Sequence, residues 1–183
     1  TDIYDPVWSV LDRVLFGYYR HESGALLTIS AASIDSGDGN TNDAVYNYVR
    51  TRKNRGVKLM AIKGANDLDA EITRAPKPID LNSTSKAANK YGLQVWIVGV
   101  NKTKNLIAGR MRLAGNGAGR IHFYSSIRQD YFDQMCGESK IPSRRSRGKM
   151  VWTKKSGARV EAWDCMVYAT HAARTQKLHL KQP

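Results

Sequence analysis

Residues 25–40 read ALLTISAASIDSGDGN. A mostly apolar run, 25–34, ends on Asp35, and a Ser-, Gly-, Asp- and Asn-rich stretch follows at once. A continuous apolar run bounded by turn residues predicts a buried strand of the parallel-sheet kind. Asp35 then stands at the carboxyl end of a strand, which is where open α/β sheets bind their ligands. Two readings of Asp35 stay open on this evidence. It is a ligand-facing carboxylate, or it starts the turn and caps the helix behind it. Asn40, Thr41 and Asp43 are better placed as caps.

The flanking sequence supplies the rest of an α/β pattern. Asp5-Pro6 is an N-cap followed by proline in the first turn. Val7, Trp8, Leu11, Val14, Leu15 and Tyr18 recur at helical spacing, predicting a helix to about Arg20. A second helix is expected from about Thr41 to Lys53, with Val45, Tyr48 and Val49 inward. Buried strands are expected at VKLMAI (57–62) and LQVWIV (93–98), separated by a long excursion over 64–90 that holds Pro76 and Pro78 and has room for a short hairpin. Further helices are expected from roughly Lys102 to Leu113, from about Ser126 to Gly137, and from about Ala158 to Arg174. Between them the pattern predicts a turn at GNGAG (115–119), a strand at RIHFY (120–124), a basic loop over 139–149 and a short strand at 149–153. The tail KLHLKQP reads as frayed. Strands alternating with helices indicate a partly parallel sheet, and 183 residues are expected to form a single domain, 1–183.

Composition narrows the partners. The chain carries 29 Lys and Arg against 16 Asp and Glu, a net charge of +13, which favours a polyanion such as nucleic acid. No apolar run is long enough to span a membrane, and no basic amphipathic anchor is evident. Cys136 and Cys165 are far apart and in no CxxC spacing, so two reduced, half-buried thiols are expected and zinc is not. GNGAG follows a helix and precedes a strand, the reverse of a phosphate cradle, and no P-loop occurs. DSGDGNTND fails the register of a calcium loop.

The last predicted helix places Val160, Asp164, Val167, Tyr168 and His171 on one face. A carboxylate inside that stripe is costly unless paired or bound to metal. Asp164 is therefore either salt-bridged to one of the many arginines or a metal ligand facing Asp35. Glu161 assists it or is solvated, and His171 reads as a packed histidine. Residues 139–160, SKIPSRRSRGKMVWTKKSGARV, hold eight Lys or Arg and no acid. Arg144, Arg145, Arg147, Lys149, Lys154 and Lys155 are the candidate DNA contacts, made through backbone phosphates. Trp152, inside this segment, is expected to pack. Two separated acids beside a basic segment are what metal-dependent phosphodiester cleavage requires. Carboxylates hold one or two Mg²⁺ or Mn²⁺, and cations hold the DNA.

These residues resemble a known family. IDSGDGNTNDAVYNYVRTR followed by VKLMAIKGA is similar to the nuclease domain of lambda-type large terminase subunits of tailed phages, and ARVEAWDCMVYATHAA resembles its closing motif. VGVNKTKNLIAGRM, GRIHFY and the YFDQMCGE helix match between them in order and spacing. The resemblance spans essentially the whole chain. It implies a ribonuclease-H-like mixed sheet flanked by helices, and a divalent-metal endonuclease that cuts concatemeric phage DNA during packaging. It matches Asp35 to the middle acid of the family's triad and Asp164 to the last. It also implies double-stranded DNA, a small terminase subunit and the portal of a procapsid as partners, in the cytoplasm of the host.

Three departures accompany the resemblance. The family's first acid lies on leading strands upstream of this chain, its ATPase motor is absent, and Asn101 stands where relatives often have Asp. A chain lacking those strands is expected to expose a sheet edge, to self-associate or rearrange its sheet, and to cut weakly or not at all. Two alternatives stay open: a non-catalytic DNA-binding or assembly module, and another ribonuclease-H-like nuclease such as a resolvase.

Overall fold

The computed structural model describes residues 5–78, 93–177 and 180. The Asp5 side chain accepts from the Val7 amide at 2.9 Å and Pro6 follows, so helix α1 (Pro6–Leu15) begins where its cap chemistry places it. It stops short of the expected Arg20. Tyr19–Arg20 (β1) instead pairs antiparallel with Leu26–Leu27 (β2), and Gly24, at φ 86°, supplies the turn between them. The strand expected over 25–34 is thereby split. Its first part is taken by this exposed local hairpin, and only Ala31–Asp35 (β3) enters the main sheet.

The remaining elements follow as α2 (Asn42–Thr51), β4 (Lys58–Gly64), β5 (Lys77–Pro78), β6 (Gln94–Val98), α3 (Val100–Met111), α4 (Gln129–Met135), β7 (Glu138–Pro142), β8 (Met150–Lys154) and α5 (Glu161–Thr175). The main sheet runs β3-β4-β6-β5. β3, β4 and β6 are parallel and β5 is antiparallel at the edge. The architecture is mixed α/β with helices on both faces of a mixed sheet, consistent with a ribonuclease-H-like nuclease. Most of the excursion before β6, residues 79–92, lies outside the described residues, as does most of the expected frayed tail.

Two further sequence expectations fail for identifiable reasons. RIHFY is not a strand. Ile121 and Phe123 do alternate with exposed His122 and Tyr124, but Phe123 packs its ring on Tyr131 and Phe132 of α4 instead of joining a ladder. The basic loop over 139–149 is largely a hairpin: β7 pairs β8 from Glu138↔Lys154 to Pro142↔Met150, closed by a tight turn at Arg144–Ser146. Cys136 and Cys165 are free, as expected, but both are exposed.

Strand alternation feeds two cores. On β4, Ala61 joins Trp8, Val45, Tyr48 and Val49 of the α1–α2 layer. Its neighbours Met60 and Ile62 join Ile107, Met135, Trp163 and Val167 of the α3–α4–α5 layer. The first layer is tied by Asp12, which accepts from Tyr48 Oη (2.7 Å) and from Arg52 Nε (2.6 Å) and Nη2 (2.9 Å). Burial pushes the Asp12 carboxyl up, but its hydrogen bonds to Arg52 and Tyr48 outweigh this and hold it below the usual range.

Gly99 joins β6 to α3 where the backbone passes closest to residues 70–71: a Cβ there would lie 2.2 Å from the Ala70 carbonyl oxygen and 2.5 Å from that of Glu71. Gly99→Ala is expected to destabilise the protein by about 2–3 kcal/mol or more. Gly117→Ala, whose Cβ meets nothing within 4 Å, should stay within about 0.5 kcal/mol of the parent. Urea unfolding midpoints of the two variants check the contrast.

Candidate active site

The parallel strands end together. In the register, Asp35 of β3 lies beside Ile62 of β4, and Gly64 of β4 beside Val98 of β6. Asp35 is exposed at this carboxyl end. Its Oδ1 accepts from the Gly37 amide at 2.8 Å and its Oδ2 from the Tyr168 hydroxyl at 2.9 Å. Asp35 therefore closes the turn, as one reading required, and its other oxygen faces α5. It does not cap α2, which starts after Thr41 with no side-chain cap. The turn is further built by Asp38, which accepts from the amides of Asn40, Thr41 and Asn42. Gly37 has a local reason to be glycine. A Cβ there would sit 3.1 Å from Asp35 Oδ1 and crowd the carboxylate.

Tyr168 lies one helical turn beyond Asp164 on α5, so Asp164 and the Tyr168–Asp35 pair share one strip of that helix. Burial, then the adjacent Asp35 charge, pushes the Tyr168 hydroxyl far above the usual phenol range, so it stays a donor at neutral pH. Asp164 itself is partly exposed and pairs through Oδ1 with Lys104 Nζ at 2.9 Å. It is salt-bridged, as one reading of the sequence required, but to a lysine of α3.

Lys104 is the less expected residue. Its side chain is only 6% exposed, and Nζ also donates to both carboxylate oxygens of Glu138, at 2.8 Å each. Glu138 Oε2 in turn accepts from Trp163 Nε1 at 3.2 Å. One buried ammonium thus joins α3, the start of β7 and α5. The sequence carries a signal for it: Lys104 sits one turn before Ile107 on the buried side of α3, which requires a carboxylate opposite. At the start of α5, the Ala162 amide is capped by Gln134 Oε1 at 3.0 Å.

His171, two turns after Asp164, is fully buried and shares a 2.8 Å hydrogen bond with Ser33 through Nδ1. It is a packed histidine, as expected. Asn101 donates to the Leu68 carbonyl at 3.0 Å while its Oδ1 is buried without a partner. Trp152 packs edge-on against Trp163 and donates to Asn105 Oδ1 at 3.1 Å. Of the candidate DNA contacts, Arg144, Arg145 and Arg147 are exposed at the hairpin tip and hold no ion pair among the described residues. Lys149 is drawn to Asp69 (2.7 Å), and Lys155 donates to the Cys136 carbonyl (2.9 Å). Lys154 is exposed at the end of β8.

Among the described residues, no group of three or more His, Cys, Asp or Glu is placed to hold a metal ion. Hard carboxylate oxygens on Asp35 and Asp164 are the donor type that suits Mg²⁺, which is commonly held by one or two carboxylates with water completing its shell. No helix among the described residues is long and apolar enough to cross a membrane.

Two expectations follow for stability. Lys104→Met leaves the Glu138 and Asp164 carboxylates facing each other without a cation and should cost about 3–5 kcal/mol. The K104M/E138Q double variant should recover most of that in chemical unfolding. Burial, aided by the Lys58 charge, lowers the His171 pKa from 6.5 to about 4. The unfolded chain thus takes up this proton first, and the contribution of His171 is complete above pH 6.5 and lost as pH falls toward about 4. His171→Gln should flatten stability across that window; an unchanged slope would remove His171 from the acid response.

Comparison with known proteins completes the picture. A family model described as terminase large subunit gpA, endonuclease domain, matches residues 2–183. Neither the curated proteins nor the solved structures give a match. The chain, an α/β unit with a carboxylate at the end of an edge parallel strand and a second on the helix that packs over it, belongs to the endonuclease-domain family of the phage DNA-packaging terminase large subunit gpA.

Proposed function

We propose that the chain is a divalent-metal-dependent DNA endonuclease that cuts concatemeric phage DNA, with Asp35 and Asp164 as its metal ligands. The observation that supports this most is the placement of Asp35. It is exposed at the carboxyl end of a parallel strand and held by two hydrogen-bond donors, with no cationic partner among the described residues. Asp164, held by Lys104 through one oxygen, keeps its other oxygen for a ligand.

When bound, one or two Mg²⁺ or Mn²⁺ would supply an activated water and neutralise charge on the leaving oxygen. The chain's own residues do the rest. Gly37 and Tyr168 fix both oxygens of Asp35, Lys104 fixes Asp164, and the arginines at the β7–β8 tip hold the phosphate backbone. By family, a small terminase subunit and a portal are the proposed partners, acting in the host cytoplasm. The pairing of Asp164 with a lysine favours a second reading, a DNA-binding module whose acids are structural.

Nicking of supercoiled plasmid in Mn²⁺ separates the two. The chain is compared with a form extended upstream, and with Asp35→Asn and Asp164→Asn in the extended form. Each substitution is expected to lower cleavage about 100-fold or more while leaving duplex binding intact. Duplex binding without cleavage in the extended form, or full activity in both variants, establishes the binding module instead.

A further inference from the structure

We propose that residues 110–128, the end of α3 and the segment after it, form a second nucleic-acid-binding arm that contacts duplex phosphates on the side of Asp164 away from the β7–β8 hairpin. The proposal rests on the nuclease reading above and deepens it.

Charge is the first observation. Residues 81–129 contain no Asp or Glu, and the four cations within 110–128 are all arginine: Arg110, Arg112, Arg120 and Arg128. Guanidinium is the side chain that matches phosphate with a planar pair of donors. Some surface cations are neutralised: Arg52 and Arg55 are paired with Asp12, Lys149 with Asp69, and Arg128 of this segment with Asp130 at 2.5 Å. Arg110, Arg112 and Arg120 have no ion-pair partner among the described residues, and every residue from Gly109 to Arg120 is exposed. A run of unneutralised arginines in one exposed segment stores repulsion that a polyanion relieves.

Anchoring is the second. The segment has no ladder, yet it is rooted on the protein. Ile121 packs on the α3–α5 core, and the Phe123 ring meets Phe132 at 5.1 Å and Tyr131 at 5.9 Å. That alternation turns His122 and Tyr124 outward, and Tyr124 is 67% exposed. Gly115 and Gly119, at φ 75° and 85°, bend the chain where an ordinary residue would be strained. An exposed tyrosine in the same segment as the unpaired Arg110, Arg112 and Arg120 offers stacking to complement their phosphate contacts.

Position is the third. Tyr124 and Arg128, the latter paired with Asp130, border an open depression of about 400 Å³ whose other wall is Glu161, Ala162 and Cys165 of α5. The hairpin meets the opposite side of the same helix, through Trp152 on Trp163. At about 100° per residue, Asp164 and Tyr168 lie on the strip between those two sides. A duplex laid across Asp164 and touching the hairpin would meet this segment on its other flank.

The test is fluorescence anisotropy with a labelled duplex of about 30 base pairs of arbitrary sequence, in EDTA, titrated with salt. The parent is compared with R112Q/R120Q and with R144Q/R145Q/R147Q. All substituted positions are exposed, and matching melting temperatures establish that the variants fold. R112Q/R120Q is expected to weaken binding roughly tenfold or more near 0.15 M salt and to reduce the salt slope by about 2. A weakened hairpin variant beside an R112Q/R120Q protein with parental affinity and slope overturns the second arm and leaves the nuclease reading standing. A parent that binds no duplex removes both.

Discussion

One buried ammonium organises the candidate site. Lys104 is closed off from water by the elements it joins, and it reaches two carboxylates from different parts of the chain. Stripping a lysine of its water is expensive, and pairing returns only part of that cost. Such a group adds little net stability, but it strongly selects among arrangements, because any packing that separates α3 from β7 or α5 leaves a charge buried alone. Helices α3 and α5 and strand β7 therefore have an electrostatic reason, beyond apolar burial, to meet in one way. Trp163 reinforces the choice by placing its indole N–H on the same Glu138 carboxylate.

The second carboxylate depends on a different constraint. Asp35 is presented by sheet topology, because β3 runs parallel to β4 and both end toward α5. Nothing in β3 neutralises it. Gly37 leaves room for its oxygen, and Tyr168 reaches it from the helix. One acid is thus held by a cation and the other by neutral donors. The two positions differ in charge balance even though Tyr168 sets Asp35 against the strip of α5 that carries Asp164.

Much of this was legible in the sequence, and the failures have a common cause. The Asp5-Pro6 cap, the inward residues of α2, the parallel strands β4 and β6, and the α5 stripe bearing Asp164, Tyr168 and His171 follow from local spacing. So does Asp35 at a strand end. What was misread depended on partners distant in sequence or on competition between pairings. Residues 25–27 have a strand's composition, but a nearby turn gave them to a local hairpin. RIHFY alternates like a strand, but α4 offered it aromatic rings instead of a ladder. Strand β7, with Lys140 and Pro142, looked like a loop because its partner β8 was needed to see it. Lys104 and Glu138 were missed for the same reason: the spacing to Ile107 marks Lys104 as inward-facing, but its partner lies 34 residues away in sequence and has no local signature.

The Glu138–Lys104–Asp164 chain of contacts has a mechanical side. Glu138 is the first residue of β7, so the arm whose tip carries Arg144, Arg145 and Arg147 is rooted in the same ion pair that orients Asp164. The hairpin cannot slide or tilt at its base without stretching a bond to the lysine that Asp164 also holds. A load applied at the tip is therefore carried, through three side chains and no loop, to the carboxylate on α5. The arm behaves as a lever with its fulcrum beside the acid.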